Sequence, residues 1–142
     1  MLDNYRDLID ELLGAPTALR GLVGNRAAAL PAEAARLIAT LRDRDGAVLA
    51  RLQTMTRQRE PYLPVAAETA PATASIDGEA LLGEFDTARG ELVSLLMNLT
   101  LRDWERTAID AARGEITVAD EVERHVEFDE EQRGLLESVL GG

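Results

Sequence analysis

One histidine, His125, is the only imidazole in 142 residues, and it stands in an acidic row with Glu121 four positions before it and Asp129 four after. On a helix, positions four apart share a face. These side chains could therefore hold a proton, an ion pair or, with a carboxylate from another helix, a metal ion. Asp45 is the candidate from elsewhere in the chain: with Arg44 it interrupts an apolar stripe between Leu41 and Val48, where a half-buried hydrogen-bonding partner for the last helix is expected. Gln132 continues the row from the other side. Catalytic candidates are thus His125, Asp129 and Asp45. Each has a plainer reading, because a histidine on an inward stripe is more often a satisfied core group than a catalyst. One imidazole among scattered carboxylates is also a weak transition-metal site. Ser94, between Leu92 and Leu95, has no implied base and is given no nucleophilic role.

What is missing narrows the chemistry further. All fifteen basic residues are arginine, so there is no Schiff-base lysine and no phosphate loop of the Walker type. Without cysteine there is no thiolate nucleophile, disulfide or sulfur-ligated metal. The net charge of −11 repels nucleic acid and anionic membrane surfaces alike. No stretch approaches the length and apolarity of a membrane span, and the first residues lack a basic, then apolar, leader pattern. The expectation is a cytoplasmic protein with neither nucleic-acid nor membrane partners.

The elements that must position these residues are helices. Apolar residues recur at helical spacing almost throughout, and no run alternates like a strand for more than a few positions. A first helix carries Tyr5, Leu8, Leu12, Leu19 and Leu22 on one stripe, with Asp3 as a cap, a kink expected at Pro16, and Gly21 and Gly24 loosening its end. A second begins near Pro31 and buries Leu37, Ile38, Leu41, Val48, Leu52 and Met55 until Arg59 precedes Pro61, with Gly46 its weak point. Residues 60–76 form a long irregular, Ala/Pro-rich connection. Ser75 or Asp77 caps a third helix with Leu81, Phe85, Ala88, Leu92, Leu95, Leu96 and Leu99 inward. Thr100 with Asp103 opens a short helix running to Gly114. Thr117 with Asp120 opens the last, with Val118, Val122, Leu136 and Val139 buried. The expected fold is an all-α four-helix bundle with one short extra helix and a crossover connection after the second helix. The segments on either side of that connection could not close separate cores, so residues 1–142 are read as one domain.

Four stretches taken in order resemble the DinB-like family of metalloenzymes: LIATLRDRDGAVLARLQTM (37–55) with the EPYLP after it, LRDWERTAIDAARGEITVADEV (101–122), and RHVEFDEEQRGLLESV (124–139). The most specific part is the Asp-Trp-x-Arg around Trp104, followed by Gly114, Thr117 and a helix centred on a His-Asp type motif. The resemblance implies an up-down-down-up four-helix bundle. It also implies a divalent metal held by three histidines, one on the second helix and an HxxxH pair on the last, with hydrolase or thiol-transferase chemistry. Aligned on the motif, those ligand positions fall on Thr40, Phe128 and Gln132, none of which is histidine. Asp45, Asp129 and His125 survive around them.

The reading that follows is a descendant of a metalloenzyme fold that binds no metal and no other cofactor. It would act as an interaction module or hold a small, largely apolar ligand in a pocket of Thr40, Asp45, Trp104, His125, Phe128 and Gln132. Trp104 would be a core or pocket-wall residue and Arg106 an ion-pair partner beside it. The alternative is a hydrolase or thiol transferase with a rebuilt site around Asp45, His125, Asp129 and Gln132. A homodimer is expected through apolar segments at Ala27–Ala29, Leu30 and residues 65–67, as the family implies and as one small bundle cannot fully cover.

Overall fold

The structure, a computed structural model, describes residues 2–64 and 77–141 and, of these, the side chains from Asn4 onward. Asp3, expected as a cap, lies inside α1, which already includes Leu2, and its side chain, the Ser75 alternative and the apolar residues 65–67 lie outside what is described. Four long helices carry the fold: α1 Leu2–Val23, α2 Ala32–Arg57, α3 Gly78–Met97 and, after a one-turn helix α4 Leu101–Trp104, α5 Val118–Gly141. The caps of α3, α4 and α5 match the sequence. Asp77 accepts from the Glu79 amide, and Thr100/Asp103 and Thr117/Asp120 each form a reciprocal pair in which side chain and backbone amide satisfy one another. Gly24, at φ +60°, ends α1 in the left-handed conformation that favours glycine, its amide donating to the Arg20 carbonyl.

Cross-helix partners give the topology. Arg20 near the end of α1 meets Glu79 and Asp86 near the start of α3, so these two run antiparallel. Arg42 meets Glu84 and Asp45 meets Arg89, so α2 and α3 run parallel. Arg51 meets Glu121 while Asp45 meets His125, which sets α5 antiparallel to α2. The order is up-down-down-up. Each helix packs on two neighbours, with α1 diagonal to α2 and α3 diagonal to α5. Parallel neighbours cannot be joined by a tight turn, which accounts for the long link between α2 and α3.

The inward stripes fill this frame. Leu41, Val48, Leu92, Leu96, Val122 and Leu136 are all buried, in two apolar clusters. The Leu41–Phe85–Leu136 cluster lies toward one end, and the Val48–Leu92–Val122 cluster toward the other. Polar side chains occupy the level between them. Gly78 allows α3 to start against the chain before α2: a Cβ there would lie 2.2 Å from the Ala27 carbonyl oxygen.

Two further expectations are corrected. The short helix stops at Trp104 and does not continue to Gly114. The chain instead forms a hairpin of β2 Thr107–Asp110 and β3 Gly114–Thr117, with β1 Tyr62–Leu63 parallel to β2. Thr107, Ile109, Ile116 and Thr117 are β-branched, and burial alternates along β2, the pattern of a half-buried strand. The run is only four residues long, too short to stand out from helical spacing. At the end of α5, Val139 is 37% exposed while Leu140 is 7% exposed, so the inward stripe passes through Leu136 and Leu140, one turn apart.

Candidate functional site

At mid-height, between the two apolar clusters, lies a residue the stripes had not singled out. Arg89 on α3 is 1% exposed and directs its guanidinium toward the other three long helices. Its Nε donates to Asp45 Oδ2 at 2.9 Å and Nη2 to Asp45 Oδ1 at 2.9 Å, a two-point contact with α2. Nη2 also donates to Asp129 Oδ1 at 2.7 Å and Nη1 to Asp129 Oδ2 at 2.8 Å, a second two-point contact with α5. Nη1 reaches α1 as well, donating to the Leu12 carbonyl at 2.7 Å. A guanidinium has five N–H groups, and these five contacts use them all. Burial alone would lower the guanidinium's pKa, but its hydrogen bonds to Asp129 and Asp45 outweigh that and raise it further. Arg89 is therefore a permanent cation held between two carboxylates.

The α1 contact traces to Pro16. A residue at that position would ordinarily donate its amide to the carbonyl four residues earlier, that of Leu12, and proline has no amide hydrogen. The helix continues through Pro16, and the carbonyl it leaves unpaired is the one Arg89 takes. A buried carbonyl without a partner is costly. The proline within α1 and the buried arginine are thus two halves of one arrangement.

His125 lies beside this cluster. Its Nε2 is 2.7 Å from Asp45 Oδ1 and donates to it, since a carboxylate so engaged can only accept. Its Nδ1 is buried and has no protein partner. The ring lies nearly parallel to that of Phe128, with centroids 6.3 Å apart, and the Arg44 guanidinium covers Phe128 at 4.6 Å.

The acidic row splits accordingly. Asp45, His125 and Asp129 come together, with one donor atom from each within 4.8 Å of the others. Glu121 instead faces Arg51, at 2.8 Å, and Arg113, both of which also bind Asp110. Asp110 Oδ1 accepts from the amides of Ala112 and Arg113 at 2.9 Å, closing the β2–β3 turn. Burial would raise the Glu121 and Asp110 pKa values, yet the arginines, and for Asp110 the turn amides as well, hold both below the usual carboxylate range. This second cluster ties the hairpin to α2 and α5.

The remaining candidates are scattered around the centre. The Thr40 hydroxyl donates to the Arg36 carbonyl within its own helix, and Gln132 is half-buried. Trp104 is buried in the Val48–Val122 cluster, stacked on Tyr5 with centroids 4.6 Å apart. Arg106 beside it donates to the Met55 carbonyl and lies 3.9 Å from Asp103. Sequence reasoning missed Arg89 by drawing the α3 stripe through Ala88. Phe85, Arg89, Leu92 and Leu96, at steps of four, three and four, are the buried line.

Three side chains from two helices, two of them four residues apart on the last, match in spacing the ligand set that the DinB-like resemblance implies. The donor atoms do not fit a metal as they stand. Every oxygen of Asp45 and Asp129 already accepts from Arg89, and a divalent ion would have to enter against a fixed positive charge in the same space.

No family model matches the chain, and no curated protein matches it. Among solved structures, it is similar to YfiT from Bacillus subtilis, described as a probable metal-dependent hydrolase with an unusual four-helix bundle topology. The TM-score is 0.77 at 15% identity, over 99% of this chain and 90% of that one. At that identity the likeness shows the fold: this chain has the DinB-like four-helix bundle. Among the described residues, no helix is long and apolar enough to cross a membrane.

Proposed function

We propose that this protein is a metal-independent binding or interaction module built on the DinB-like bundle, with Arg89 in the role that a metal ion plays in relatives of that fold. One observation carries the reading: all five donors of Arg89 are spent on Asp45, Asp129 and the Leu12 carbonyl, so every oxygen of the carboxylates that might have been ligands is engaged from within the chain. The same arrangement disfavours a purely apolar ligand at the centre, which would have to displace or bury these charges without compensation.

A second reading, a hydrolase or thiol transferase with a rebuilt site, is favoured by the His125 Nδ1, a buried ring nitrogen without a protein partner beside Asp45 and Asp129. Metal analysis of protein produced without a polyhistidine tag, in medium supplemented with zinc and nickel, separates the two. Metal far below one equivalent per chain is expected. One equivalent retained through dialysis supports the enzyme.

A further inference from the structure

The groove between α2 and α5, on the side where the hairpin attaches, collects positive charge in a chain whose net charge is −11. Arg44 and Arg51 are seven residues apart on α2, about 10 Å along one face. Opposite them on antiparallel α5 stand Phe128 and Glu121, also seven apart, with Arg124 between the two in sequence. Arg113 enters from the hairpin. Arg51 and Arg113 share Asp110 and Glu121, four groups whose charges cancel. Arg44 and Arg124 stand outside this network. Among the described residues neither has a hydrogen bond or an ion pair. Arg124 is exposed, whereas Arg44 is half-buried with its guanidinium carbon over the Phe128 ring, 4.6 Å from the centroid.

This placement is costly as it stands. Burial depresses the Arg44 guanidinium below its ordinary pKa, and Arg124, Arg51 and Arg113 push the same way, with Glu121 the main opposing charge. A guanidinium desolvated on an aromatic face, with three others near it, is arranged to receive an anion. Its planar fork matches carboxylate and phosphate oxygens at two points.

We propose that the α2–α5 groove binds the oxyanion of a small molecule, a carboxylate or a phosphate, with Arg44 as the fixed contact and Arg124 closing over it. The site adjoins the central cluster through Phe128, which lies against His125, but neither Arg44 nor Arg124 is among the groups that bind Arg89.

The test is an NMR titration of the full chain with inorganic phosphate and, separately, acetate, each against sodium chloride at matched ionic strength. One of the two is expected to saturate, with shifts confined to the arginine side chains of the groove and the amides near Arg44 and Arg124; which one saturates identifies the ligand class. Arg44→Gln should weaken that binding by about tenfold or more, and Arg124→Gln by less. Arg57→Gln, at the end of α2 and away from the groove, should leave it unchanged. The proposal is overturned if neither anion exceeds chloride, or if Arg44→Gln and Arg57→Gln bind alike. Circular dichroism checks that Arg44→Gln is folded. If it is not, Arg124→Gln, on an exposed side chain, decides: binding equal to wild type then overturns the proposal.

Discussion

Two arginine-centred clusters lie within a few helical turns of each other and are built on opposite terms. Around Arg89 there is one cation, two carboxylates and a carbonyl, with every guanidinium donor used and the side chain 1% exposed. Along the α2–α5 groove there are four arginines, from half-buried Arg44 to exposed Arg124, and two buried carboxylates, with Arg44 lacking a partner among the described residues. The first is closed and ties the four long helices together. The second is open and leaves donors unused. Saturation of donors, rather than the presence of charged residues, separates a structural cluster from one able to take a ligand.

The largest effect should come from breaking the closed cluster. Arg89→Met leaves Asp45 and Asp129 facing each other without a cation, and removing one partner of a buried pair costs about 3–5 kcal/mol. Urea unfolding followed through Trp104 measures it. The comparison is sharpened by Asp45→Leu/Arg89→Met/Asp129→Leu, which removes all three charges and should recover much of the loss. A cost below about 1 kcal/mol for Arg89→Met, within the range of exposed pairs, would mean the centre is wetter and looser than this geometry.

Removing Glu121 from the open cluster should cost less, about 1–3 kcal/mol at pH 7 for Glu121→Gln, because Asp110 still serves Arg51 and Arg113. The pH dependence has a definite sign. Glu121 and Asp110 have depressed folded pKa values, so their contribution is full above the unfolded values of about 4.3 and 3.9. It is lost as pH falls through the lower folded values. Wild type and Glu121→Gln should therefore differ in stability at pH 7 and converge toward pH 2. A gap that stays constant over this range would show that the ion pairs are not its source.

Smaller again is Pro16→Ala. The restored amide competes with Arg89 for the Leu12 carbonyl, and an alanine is otherwise better in a helix than proline by about 3 kcal/mol. The net gain should fall well short of that figure. A gain equal to it in thermal unfolding would mean that Pro16 and Arg89 are independent. The weakest effect is self-association. Ala28 and Ala29 are exposed, while Ala27 and Leu30 are half-buried. A homodimer through this region should strengthen as salt screens the charge on each chain. Light scattering that gives a monomer at every salt concentration, at tens of micromolar protein, would remove it.

Much of the fold was legible because helix periodicity and caps act locally. The Thr100/Asp103 and Thr117/Asp120 boxes and the stripe through Leu92 and Leu96 are each written within a few residues. The hairpin was not, since Thr107–Asp110 is too short for its alternation to outweigh helical spacing and Ala111 and Ala112 extend a helix-like run. At the site, Asp45, His125 and Asp129 were legible as polar interruptions of apolar stripes. Their separation from Glu121 was not, because a row on one helix says nothing of which neighbour each member faces. Arg89 was hidden by its own type: a charged residue is normally assigned outward, and only the carboxylates of two other helices and the Pro16-freed carbonyl of a third make its burial affordable.

Whether Arg89 withholds from a metal the carboxylates it would need can be read by adding zinc to the untagged protein while observing the His125 ring and Arg89 guanidinium nitrogens by NMR. Restrained, separately resolved Arg89 signals that do not change through several equivalents of zinc are the expected result. A stoichiometric shift of the His125 ring nitrogens, accompanied by loss of the Arg89 restraint, would contradict the hold of Arg89 on the carboxylates.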